Sequence, residues 1–121
     1  NEECLAIDAA LSAEGATETL LTALEQAGPF GAGHPQPTLV LPRHRLVDVR
    51  PVGSGHLRLD VRSEGGAKVS AIAFRAVDAP LGMFLAKHRG ETMHFAGSLS
   101  ANYWNGNKSV QFRVIDAAKA A

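Results

Sequence analysis

From residue 38 onward, apolar residues fall on alternate positions in five separate runs, and alternation of that kind commits a chain to half-buried strands. The clearest is HLRLDVR at 56–62, with Leu57, Leu59 and Val61 on one face and His56, Arg58, Asp60 and Arg62 on the other. TLVLPRHRLVDVR at 38–50 is longer, and Pro42, having no N–H for a ladder, demands an edge or a bulge within it. KVSAIAFR at 68–75 is a third strand, and Gly65-Gly66 makes 62–68 a hairpin connection. TMHFAGSLSAN at 92–102 and KSVQFRVID at 108–116 supply two more. Between the third and fourth runs, APLGMFLAKHR at 79–89 spaces Leu81, Phe84, Leu85 and His88 as a short helix does, despite Gly82.

That order of elements, over about 80 residues, predicts a mainly β chain: a five-stranded Greek-key barrel of the OB type with one short helix between strands 3 and 4. A plain antiparallel sheet capped by one helix shares the order. Ahead of the barrel the period is helical. In ATETLLTALEQA at 16–27, Leu20, Leu21 and Leu24 lie on one face, Thr17 is a candidate N-cap, and Gly28 and Pro29 stop the helix. The expected division is an N-terminal helical appendage over 1–28, a Pro/Gly connector over 29–37, the barrel over 38–117 and a tail over 118–121. The connector's glycines do not form a phosphate loop, because no strand leads in, no Gly-Lys-Ser/Thr follows, and its prolines lack the N–H donors a phosphate needs.

With 121 residues, 45% of them hydrophobic, the chain can bury one core. Its lone Cys4 has no Cys or His neighbour at a metal-ligand spacing, which fits a reducing compartment. No apolar run approaches a membrane span and no secretory leader opens the sequence, so the expectation is a soluble, cytoplasmic protein that makes no membrane contact. The first residue is Asn1 and Met occurs only at 83 and 93, as expected of a piece of a longer chain. The net charge of zero hides a split. Residues 1–36 hold Glu2, Glu3, Asp8, Glu14, Glu18 and Glu25 with no Lys or Arg, and the rest hold all 12 Lys and Arg against six carboxylates. The second part suits a polyanion; the bland alternative is an ordinary solvated surface.

NYWNGNKSVQFRV at 102–114 contains the only Trp and the only Tyr. If Asn105-Gly106 is a two-residue type I′ turn, Leu99 faces Phe112, Ala101 faces Val110 and Gly97 faces Val114 on the apolar side. The polar side then carries Ser98 with Arg113, Ser100 with Gln111, Asn102 with Ser109, and Trp104 with Asn107. Trp104 is thereby placed outward as a stacking platform, close to Lys108 and in line with Gln111 and Arg113. Asn105 sits at the tip, in a loop that OB-folds commonly use to grip oligonucleotides. The second strand adds His56, Arg58 and Arg62, and the third begins at Lys68 and ends at Arg75. Such a groove suits a single strand, with bases stacked and phosphates neutralised; the alternative is that Trp104 packs on another domain. The five histidines are scattered without metal-pair spacing, and no residue pattern forms a catalytic centre.

LAIDAALS (5–12), LLTALEQAGPFGAGHPQPTL (20–39), VRPVGSGHLRLDV (49–61), IAF (72–74) and NYWNGNKSVQFRVID (102–116) together resemble the C-terminal part of the RecJ family of bacterial single-strand-specific DNA exonucleases. The most specific piece is Pro-Phe-Gly-x-Gly-x-Pro-x-Pro at 29–37; His34 stands where the family usually has Asn. The resemblance implies that residues 1–28 are the tail end of the DHH-associated domain and that an OB-fold follows. It implies a parent enzyme that degrades single-stranded DNA from the 5′ end, in recombination and repair. The Mn or Mg of that chemistry is expected in catalytic domains absent from this chain, which needs no cofactor of its own. The expected partners are single-stranded DNA and the rest of the RecJ-like chain. A rival reading makes the barrel a structural and docking module that braces the nuclease core or receives single-strand binding protein. Oligosaccharide binding is a third reading, one that the excess positive charge leaves unexplained.

Overall fold

The computed structural model describes residues 9–27 and 38–120, so the connector, His34 and Cys4 lie outside the described residues. Its elements are β1 (Ala9–Ala10), α1 (Glu18–Ala27), β2 (Leu39–Val52), β3 (His56–Arg62), β4 (Lys68–Ala73), α2 (Pro80–Lys87), β5 (Thr92–Trp104) and β6 (Asn107–Lys119). The sheet order is β1-β2-β3-β4-β6-β5, and a further β2–β5 pairing closes β2 to β6 into a five-stranded barrel. All pairs in the barrel are antiparallel except β4 with β6, which run parallel. This is the expected Greek-key OB topology with α2 between the third and fourth barrel strands.

Alternation explains the barrel's two surfaces. Leu57, Leu59 and Val61 of β3, Val69, Ala71 and Ala73 of β4, Met93, Phe95 and Leu99 of β5, and Phe112 and Val114 of β6 all point inward and are buried. Pro42 lies where β2 changes partners: the register against β5 shifts between Leu41 and His44, and Arg43 takes a φ of 54°. The bulge bends the strand so that its first half pairs with β5 and its second with β3, which closure requires. α2 packs by Leu85 and Gly82, both buried, and a side chain at 82 would overlap the carbonyl of Ala76, so the glycine permits the approach of this helix.

The segment ahead of the barrel shares its core. Ala9 and Ala10 pair in parallel with Leu39 and Val40, Leu11 N–H donates to the Val40 carbonyl, and Ala13 and Leu21 are buried. α1 begins at the cap anticipated from sequence, the Leu20 N–H donating to Thr17 Oγ1 at 3.1 Å. Among the described residues no helix is long and apolar enough to cross a membrane.

Candidate nucleic-acid interface

Outward positions on β2, β3, β4, β6 and β5 line up in rows because neighbouring strands hold a fixed register. Arg50, Arg58, Ile72, Arg113 and Ser98 form one row across the sheet. Asp48, Asp60, Ser70, Gln111 and Ser100 form the next. Further along, Arg62 stands beside Lys68 and Asn102 beside Ser109, and Trp104 opposite Asn107 ends the β5–β6 arm.

The turn at the tip has the geometry that sequence demanded. Asn105 and Gly106 have φ of 51° and 79°, the left-handed pair of a type I′ turn. Each pairing expected from that turn is present, from Gly97 with Val114 to Trp104 with Asn107. Trp104 is 73% exposed, on the side of Asn102, Ser100 and Ser98. Tyr103, 69% exposed, takes the other side and pairs with Lys108. Lys108 therefore does not stand with Trp104, although only four positions separate them in sequence.

Two carboxylates divide the cations of this face. Asp48 accepts from Arg50 Nη2 at 2.7 Å and lies 3.4 Å from Arg89 Nε. The hydrogen bond from Arg50, then the Val49 N–H and the charge of Arg89, holds the Asp48 carboxyl below the usual range against the opposing effect of burial. The same bond raises the Arg50 guanidinium above its ordinary value. Asp60 holds Arg62 at 3.4 Å. Arg62, expected to face a ligand, is therefore engaged within the face, whereas no carboxylate among the described residues lies in ion-pair reach of Arg58, Lys68, Arg75 or Arg113. Asp48, Arg50, Arg58, Asp60, Lys68 and Ser70 line a shallow cleft of about 180 Å³.

At the end of the face away from Trp104, an aromatic group appears that sequence reasoning passed over. Phe74 is 44% exposed, its ring centroid 5.1 Å from that of His56 in an edge arrangement and 5.1 Å from the Arg113 guanidinium carbon above it. The His56 ring is held in turn, since its Nδ1 accepts the Arg75 N–H at 2.9 Å. The signal was available: in the run 68–75 the inward residues are Val69, Ala71 and Ala73, so Phe74 has outward parity. Gln111 is half-buried, with its backbone carbonyl accepting from Ser100 Oγ at 3.4 Å, and Asn105 is exposed in the turn.

The remaining described histidines serve the fold. His44 is buried and hydrogen-bonded to Ala13 and Pro42, His94 Nδ1 accepts the Arg43 N–H, and His88 pairs with Glu91. Among the described residues, no three His, Cys, Asp or Glu side chains converge as a metal would require.

Comparison with known proteins places this geometry. Residues 7–116 match the family model described as the RecJ OB domain. The single-stranded-DNA-specific exonuclease RecJ of Bacillus subtilis (strain 168) is 25% identical over 114 residues, which is 93% of this chain but 14% of that protein's length. RecJ of Thermus thermophilus in complex with Mn2+ superposes with a TM-score of 0.67 at 26% identity, over 97% of this chain and 16% of that one. The second single-stranded DNA binding protein of Mycobacterium smegmatis shares the fold, with a TM-score of 0.51 at 13% identity over 68% of this chain and 84% of that one. With its matched residues running from the short strand before α1 almost to the end of β6, the chain belongs to the RecJ OB domain family.

Proposed function

We propose that this chain is the non-sequence-specific single-stranded DNA binding domain of a RecJ-like 5′-to-3′ single-strand exonuclease, acting in DNA recombination and repair in the cytoplasm. It holds the strand and leaves cleavage to other parts of the enzyme. The observation that carries this reading is Trp104, 73% exposed at the tip of an arm whose same side leads to Arg113. A flat ring open to solvent stacks on any base, and cations such as Arg58 and Arg113, which have no carboxylate partner among the described residues, take the phosphates, so recognition follows the strand and not its sequence. No three His, Cys, Asp or Glu side chains converge among the described residues, and a Mn or Mg of the parent reaction belongs in this reading to its catalytic domains.

Fluorescence anisotropy of a labelled oligonucleotide tests the proposal. Neutralising four phosphates of a single strand predicts that affinity falls about fifty-fold between about 50 and 200 mM salt. Trp104→Ala, Arg58→Glu and Arg113→Glu each weaken binding, and duplex DNA binds less well. Salt-independent binding, or variants that match the parent, would contradict the reading. The rival reading, a module that docks on the nuclease core or on single-strand binding protein, is favoured by Tyr103 and Met83, 69% and 66% exposed. It predicts a chain that ignores DNA and binds a protein partner.

A further inference from the structure

We infer that Phe74, steadied by His56 and flanked by Arg113, is a second base-stacking platform, and that its separation from Trp104 sets a binding site of about five nucleotides. The inference rests on the single-strand reading above and adds a register to it. Arg113, over the Phe74 ring, pairs with Ser98, and Trp104 lies six positions further along β5. Ile72 shares the row of Arg113 and Ser98, and Phe74 lies two positions beyond it on the side away from Trp104, so at a strand rise of about 3.3 Å per residue the two aromatic ends of the face stand about 26 Å apart. Between them the outward side chains of the β5–β6 arm are Ser100, Asn102, Ser109 and Gln111, which offer hydrogen bonds but no ring. A strand crossing this face therefore meets a stacking surface only at its two ends. About five nucleotides cover such a distance, near the lower limit of site sizes for one OB-fold.

Phe74 is not explained by packing. The inward positions of β4 are filled by Val69, Ala71 and Ala73, while the Phe74 ring remains 44% exposed. Its orientation is nevertheless fixed: His56, against which its ring lies, is pinned by the Arg75 N–H, and Arg113 stands over it. A ring held in place and left open binds a base at little cost in ordering. The guanidinium beside it can neutralise the phosphate next to a stacked base.

The test titrates the 121-residue chain with unlabelled oligothymidylates of two to ten nucleotides, following Trp104 emission. The parent is expected to gain at least about tenfold in affinity between two and five nucleotides and to level off beyond. In Phe74→Ala and in Phe74→Leu, which retains apolar packing against His56, that step disappears, and strands of five or more bind about tenfold more weakly. Phe74→Tyr restores the step. Variants that keep both the step and the parent affinity while Trp104 still responds would overturn the second platform and leave the single-strand reading intact. Unchanged Trp104 emission at every length would overturn both.

Discussion

The buried imidazole of His44 accepts a hydrogen bond from the backbone N–H of Ala13 at 3.0 Å, across 31 residues of sequence. Its other ring nitrogen donates to the Pro42 carbonyl at 2.8 Å, at the bulge that bends β2. One side chain thus fastens the segment before α1 to the point where the barrel closes. His44→Ala leaves a buried N–H unsatisfied and a cavity beside it, and should lower stability by about 3 kcal/mol in urea unfolding. Leu21→Ala, which empties a fully packed site of α1, should cost about as much.

Gly97 lies at the shift in register between β5 and β6, and a Cβ there would overlap the carbonyl oxygen of Arg113. Gly97→Ala must push the two strands apart at the point where the arm leaves the barrel. Destabilisation of about 3 kcal/mol is expected, together with faster hydrogen exchange of amides along the arm.

Acid should weaken the Asp48 contacts. Because Asp48 titrates below its unfolded value, its stabilisation is complete above about pH 4 and is lost as pH falls through the lower folded value. Glu14, lowered mainly by the Ser63 hydroxyl at 2.8 Å, adds in the same direction. Asp48→Asn should therefore lose less stability than the parent between pH 4 and pH 2 in thermal melts. The difference should be small and should shrink with salt, since Arg50 is 69% exposed.

The two sides of the β5–β6 arm should differ in DNA binding. Arg113→Glu is expected to weaken oligonucleotide binding about tenfold, and Lys108→Glu, on the Tyr103 side, less than about threefold, when the two are compared in one anisotropy experiment.

Most of the barrel was legible because its signals are local. The alternation of 56–62 gave β3 with its observed ends, and one Asn-Gly turn set the register of the whole β5–β6 arm. Pro42 announced the bulge in β2 for the same reason: a missing N–H is a property of the residue itself. What sequence missed depends on partners that meet only in three dimensions. Arg89, which follows α2, meets Asp48 only in the folded chain, so that contact could not be read from spacing. Ala9–Ala10 has too few residues for any period, and only its pairing with β2 makes it a strand. The separation of Lys108 from Trp104, in contrast, is implied by the predicted register, which sets Tyr103 opposite Lys108.

The emission of Trp104 is the most direct probe of the central claim, because no other Trp contributes to it. Adding an unlabelled single-stranded oligonucleotide at low salt is predicted to quench that emission saturably, and raising the salt to release it. Emission that stays constant up to saturating DNA, with binding shown independently by anisotropy, would place the strand elsewhere on the protein and contradict the account.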